Sequence, residues 1–238
     1  MKNLEVCFTP DLLTYYPPEG KIVVVIDIFR ATTTMVTALA NGIESITPVA
    51  SLEECKALQN QGYLAAAERE GKMPEGFDLG NSPLSHIEQD FSGQKLAMTT
   101  SNGTLAITKS KTADQIIIGA FINISAVIQY LQGQSNDILL LCAGWKGRVN
   151  MEDSLFAGAV AHTLASEVTI ANDAAVMALH LYQTHQENMA GFLKDGLHYH
   201  RLQRLGRSED IEFCLKKDVY DLLPIYQQGI LMAKAESI

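Results

Sequence analysis

Through the first two-thirds of the chain, short apolar runs alternate with segments whose apolar residues recur at helical spacing. Runs at 5–9, 22–28, 45–49, 63–67, 95–99, 115–119 and 137–142 have the length and β-branched character of strands. The stretches between them at 33–40, 52–59, 103–109 and 123–132 read as helices. Asn41 and Gly42 stop the first, and Gly62 follows the second. This alternation predicts an α/β fold, layered α/β/α around a mostly parallel or mixed sheet. The run 22–26 is β-branched throughout, as suits a strand covered on both faces. Residues 69–83, rich in Gly, Pro and Asn, form a loop long enough to expect function in it.

After Gly144 the pattern turns helical, at 151–165, 173–186 and 197–205, until Pro224 ends it and a short strand at 223–226 is expected. The chain reads as one unit over 1–238, and any division into lobes, 1–133 and 134–238, falls near Gln134.

Composition narrows the class. At 238 residues and 47% hydrophobic content there is ample material for a core. The net charge of −9, with no clustered Lys and Arg, gives no support to a nucleic-acid partner. Cys7, Cys55, Cys142 and Cys214 are scattered, without zinc-type pairs or a disulfide framework, which suits a reducing cytoplasm. Residues 1–9 lack a signal-peptide apolar segment and no run approaches membrane-spanning length, so a membrane partner is not expected.

Polar groups collect where strands end. Asp27 follows one strand and leads into Arg30, Thr32, Thr33 and Thr34. Glu68 and Arg69 follow another, residues 99–104 a third, and 144–153 a fourth. In a parallel sheet those ends share one edge, where loops build a common pocket. Antiparallel strands among them would scatter the same residues. Asp27 reads as a metal or acid–base group, or as a helix cap paired with Arg30. Ser101-Asn102-Gly103-Thr104 reads as an anion-cradling turn or an ordinary strand-to-helix connection. Glu152 and Asp153 read first as caps of the helix they begin. His198 and His200 point to different faces of a helix from Arg201 and Arg204, so the histidines make a poor chelate. There is no Gly-x-Gly-x-x-Gly and no Walker sequence.

Cys142 and Arg148 have the separation of a Cys-x5-Arg loop, in which a thiolate attacks phosphorus. A buried structural thiol is the plainer reading.

Four separated segments occur together in order. They are Ile26-Asp27-Ile28-Phe29-Arg30-Ala31-Thr32-Thr33-Thr34, Gly76-Phe77-Asp78-Leu79-Gly80-Asn81-Ser82-Pro83, Thr99-Thr100-Ser101-Asn102-Gly103-Thr104, and Cys142-Ala143-Gly144 with Glu152-Asp153. They resemble the 2-phosphosulfolactate phosphatase family, over nearly the whole chain. The resemblance implies a magnesium-dependent phosphatase that converts 2-phospho-3-sulfolactate to 3-sulfolactate and phosphate on a route to coenzyme M. It implies Asp27, Arg30 and Glu68 as catalytic groups and Asp27, Glu68 and Asp153 as metal ligands. Thr32, Arg69, Asn81, Thr100, Asn102, Gly103, Thr104 and Arg148 are the expected contacts to a small anionic phosphorylated substrate. Magnesium, which keeps several waters, needs only one or two carboxylates. Haloacid-dehalogenase phosphatases place a second Asp two residues after the first. Here that position is Phe29, so that comparison breaks down. The rival readings are the metal-independent cysteine phosphatase and a non-catalytic anion-binding module. The helix-rich C-terminal third offers a surface for a homodimer.

Overall fold

The computed structural model describes residues 1–234. Its strands are β1 (Lys2–Cys7), β2 (Lys21–Ile26), β3 (Ser45–Pro48), β4 (Leu64–Ala67), β5 (Lys95–Thr99), β6 (Gln115–Gly119), β7 (Asp137–Cys142), β8 (Val168–Ile170), β9 (Pro224–Gln227) and β10 (Ile230–Ala233). The helices are α1 (Ala31–Ala40), α2 (Leu52–Gln59), α3 (Gly103–Lys109), α4 (Ile124–Gln132), α5 (Met151–Thr163), α6 (Asp173–His185), α7 (Met189–Leu193), α8 (Leu197–Arg204) and α9 (Ser208–Cys214). They cover both sides of one mixed sheet in the order β4-β5-β3-β10-β9-β6-β2-β7-β1-β8, the α/β architecture expected.

The apolar runs predict the strands because they are buried on both faces. Val23, Val24, Val25 and Ile26 are wholly inaccessible, and β2 lies between β6 and β7 in parallel register. Two strands escape the sequence pattern. β8 is too short to show a period, and β10 follows β9 in a hairpin whose outer residues are exposed.

That hairpin decides the sheet's topology. β9 runs antiparallel to β6, and β10 antiparallel to both β9 and β3, so β3, β5 and β4 run opposite to β6, β2, β7, β1 and β8. The junction of β10 with β3 is a single register pair, Leu231 with Ile46. Although the two units run in opposite directions, residues at the carboxyl ends of β2, β4 and β5 line one cleft.

Helix α1 is poor in helix propensity, with three consecutive threonines, and is held by packing: every residue from Ala31 to Leu39 is buried. Each buried hydroxyl has a partner. Thr32 accepts from the Asp27 N–H at 3.0 Å, Thr33 donates to the Ile28 carbonyl at 3.0 Å, Thr34 to the Asn81 carbonyl at 3.3 Å, and Thr37 to the Thr33 carbonyl at 2.8 Å.

The loop after β4 is ordered by specific contacts. Leu79 bridges to Ala66, and Asp78 accepts from the Ala65 N–H at 2.8 Å. At its start Arg69 and Lys72 exchange two backbone hydrogen bonds around Glu70 and Gly71, both at positive φ. Trp145 and Arg148 close an identical two-residue turn around Lys146 and Gly147. Two central residues at positive φ suit the twist of a tight hairpin turn.

Candidate active site

Asp27 ends β2 in the middle of the sheet and lies 5% exposed. It stands beside the start of α1, where the Ala31 N–H favours its charged form, and it lines a cleft, while Arg30 pairs elsewhere. Burial is the main cause that pushes its carboxyl up to about 6, with His198 opposing the rise and Glu68 and Glu152 adding to it. No cationic side chain forms an ion pair with it among the described residues.

Gly103 seats this group. A Cβ there would stand 2.7 Å from the Ala31 Cβ and 3.0 Å from Asp27 Oδ2, so the backbone of α3 approaches the acid as only glycine permits.

The cleft gathers Asp27, Arg30, Glu68, Asn81, Asn102 and His198 from five separate parts of the chain. Ser101, Glu70, Trp145, Lys146 and Arg201 complete its polar lining. Glu68, at the end of β4, accepts the Gly71 N–H. Asn81 leaves its side-chain oxygen buried without a partner.

Other expected site residues serve as supports around the cleft. Arg30 forms a buried ion pair with Asp210 at 2.7 Å, and Asp210 also accepts from Ser82 at 2.6 Å. Arg69 turns toward the end of β5, donating to Thr99 Oγ1 at 3.0 Å and to the Glu68 carbonyl at 2.7 Å. Thr100 and Thr104 bond to each other's backbone N–H at 3.2 Å and fix the turn before α3. Thr32 is engaged with Asp27 as described.

Asp153 is fully buried and accepts the N–H of Ile28 at 2.8 Å, that of Gly144 at 3.1 Å and the Asn150 amide at 2.9 Å. It thereby ties the loop after β2 to the loop after β7. Burial first, then the charges of Asp27 and Glu152, hold its carboxyl well above the usual range.

Arg148 is exposed and absent from the cleft lining. Cys142 is buried in the sheet, and burial, with Asp153 next, pushes its thiol well up, opposite to the activation a nucleophilic thiolate needs. The geometry therefore speaks against the cysteine-phosphatase reading.

The most consequential group that the sequence pattern does not reveal is His198. Glu152, 1% exposed, holds His198 Nδ1 at 2.6 Å. Trp145 stacks beside the ring with centroids 5.5 Å apart and planes inclined by 10°, and Phe29 packs at 6.2 Å. With Nδ1 engaged, Nε2 is the nitrogen left for a ligand. Nothing local in the helical pattern of residues 197–205 marks this role, because the partner lies 46 residues earlier.

Among the described residues no three His, Cys, Asp or Glu side chains converge as an enclosed metal site. An open, water-rich magnesium site asks for less. The buried, unpaired Asp27 carboxylate, Glu68 in the same cleft and the unpartnered Asn81 oxygen fit such an ion and its waters.

The model of the 2-phosphosulpholactate phosphatase family matches residues 7–229. A probable 2-phosphosulfolactate phosphatase of Thermotoga maritima is 39% identical over 218 residues, covering 92% of this chain and 94% of that protein. Proteins of the same description from Caldanaerobacter subterraneus subsp. tengcongensis and Clostridium tetani are 38% and 36% identical, covering 89% and 96% of this chain and 90% and 99% of their own lengths. Matched nearly end to end, with its acids, histidine and cations gathered in a single cleft, the chain belongs to the 2-phosphosulfolactate phosphatase family of phosphoric monoester hydrolases.

Proposed function

We propose that the chain is a magnesium-dependent phosphatase that hydrolyses 2-phospho-3-sulfolactate, or a closely related phosphorylated small acid, to 3-sulfolactate and phosphate. The observation that carries this reading is the meeting of Asp27 and Glu68 with His198, Lys146 and Arg201 around one small cleft. Such a lining suits a substrate that brings a phosphoryl group to the acids through a cation and a free acid group to the basic side chains.

Asp27 and Glu68 would hold the magnesium ion, with Asn81 facing its waters. When bound, the ion neutralises phosphoryl oxygens and lowers the cost of bringing negative charge together. Water attacks phosphorus as its bond to the sulfolactate oxygen breaks; Glu152 fixes the ring of His198 so that its free nitrogen can give that oxygen a proton, which the attacking water replaces. Asn102 and Ser101 line the cleft, where they would donate hydrogen bonds to the ligand. Asp153, Thr32, Thr100 and Thr104 hold the loops that carry these groups.

The reading extends to a cytoplasmic location, supported by four free cysteines, and to a step on a route to coenzyme M, which the resemblance implies. It includes a homodimer through the helix-rich C-terminal third, supported by exposed Val176, Met177 and Leu197.

The deciding experiment is phosphate release from 2-phospho-3-sulfolactate before and after exhaustive chelation. Loss of activity on chelation, with recovery on adding magnesium, is expected. Full activity in the chelated protein would overturn the metal requirement, and no release with magnesium present would overturn the activity.

A further inference from the structure

The mouth of the cleft is built from two matching turns. Arg69-Glu70-Gly71-Lys72 and Trp145-Lys146-Gly147-Arg148 each hold two successive residues at positive φ, and the turns meet through their tips. Lys146 Nζ lies 3.5 Å from one oxygen of Glu70, and Arg201 Nη2 lies 3.4 Å from the other. One carboxylate thus bridges the cleft's two cations that have no buried partner, since Arg30 is committed to Asp210. Lys146 foremost, then Arg201, hold the Glu70 carboxyl below its usual range.

These contacts are exposed: the Glu70 side chain is 73% accessible and that of Lys146 57%. Exposed ion pairs are weak, because water screens both charges, so a ligand can displace the carboxylate at small cost. Both cations also sit over Trp145, Arg201 at 5.6 Å and Lys146 at 5.7 Å from the ring centroid, which braces them when the carboxylate leaves.

We infer that Lys146 and Arg201 form the subsite for the acid group of the substrate that is not transferred, and that Glu70 occupies this subsite until the ligand's anion replaces it. The inference rests on the proposed phosphorylated small acid as substrate. It assigns an untransferred anion of that substrate, its sulfonate or its carboxylate, to the turn tips, away from the phosphoryl group at Asp27 and Glu68. Glu70 then competes weakly with the incoming anion. A ligand with a second anionic group replaces the contacts that Glu70 gives up, whereas one with a single anionic group held at the acids' end leaves Glu70 in place.

Trp145 is the only tryptophan of the chain, so its fluorescence reports this subsite without any turnover. The test titrates the full-length protein with 3-sulfolactate, and separately with inorganic phosphate, in the presence of magnesium. A saturable change in Trp145 emission with 3-sulfolactate is expected. It should weaken at least about tenfold in Arg201→Gln and in Lys146→Gln, and tighten about threefold to tenfold in Glu70→Gln, as loss of the competing ion pairs implies. The inference is overturned if these variants bind 3-sulfolactate as the unmodified protein does. It is equally overturned if phosphate gives the same response with the same dependence on Arg201. Binding as expected without phosphate release from 2-phospho-3-sulfolactate would leave the subsite standing and remove the proposed reaction. Normal release without the fluorescence pattern would do the reverse.

Discussion

The imidazole of His198 is held through Nδ1 by the buried carboxylate of Glu152 at 2.6 Å, and this pair stands beside Asp27 in the cleft. If His198 supplies the proton to the leaving oxygen, its loss is felt most by substrates whose leaving group is a poor one. His198→Asn is expected to lower kcat on 2-phospho-3-sulfolactate by about 10²–10³. On p-nitrophenyl phosphate, whose leaving group needs no proton, the loss should be far smaller. Glu152→Gln should show the same contrast with a lesser loss. Equal losses on both substrates would remove His198 from the proton path.

Arg30 pairs with Asp210 while both side chains are nearly inaccessible, at 3% and 4% exposure. Removing one partner strands a charge in a medium that solvates it poorly. Asp210→Ala is therefore expected to destabilise the fold by about 3–5 kcal/mol, read from urea unfolding. Arg30→Met with Asp210→Leu should recover much of that loss. A single variant of unchanged stability would show that water reaches this pair.

Gly103 leaves no room for a methyl group between Ala31 and Asp27. Gly103→Ala is expected to cost about 1–3 kcal/mol from overpacking, less whatever alanine returns in helix propensity. Activity should fall more than stability does, because the methyl group presses on the Asp27 carboxylate itself. Full activity together with an unaltered melting temperature would show that α3 can withdraw from the acid.

Burial raises the Asp27 carboxyl from 3.8 to about 6. A carboxyl whose folded value lies above its unfolded value contributes most stability below about pH 4 and loses it as the pH rises through about 6. Charging this acid in the fold is thus unfavourable at neutral pH when no cation is supplied. Asp27→Asn should accordingly be inactive yet more stable than the unmodified protein in metal-free buffer at pH 8, on the order of 1–3 kcal/mol. That advantage should close as the pH falls toward 4. Melting temperatures across this range would decide it, and a variant less stable than the unmodified protein at pH 8 would contradict the account.

The pattern of residues along the chain determines the strands that matter most for the site. Val23 to Ile26 read as a doubly covered strand, since a short, unbroken β-branched run has no polar face to give to water. Asp27 is legible for the same reason, as an acid placed where such a strand must end. Glu68 and Asn102 follow from that logic, and the separated motifs make the family resemblance readable before any coordinates.

Only the tertiary structure decides which charges are free. Arg30 looks like a free cation in the sequence, yet Asp210, far along the chain, forms an ion pair with it, and Arg69 donates to the Thr99 hydroxyl. Glu152 resembles a helix cap until His198 is brought to it, and Lys146 and Arg201 acquire a role only when two turns meet across the cleft. Strand order has the same character. The C-terminal hairpin inserts between β6 and β3 and reverses one parallel unit, a pairing between segments far apart in sequence that no local pattern encodes. Periodicity reports what each segment buries, whereas the partner that satisfies a charge or a strand edge is chosen by the packing of the whole chain.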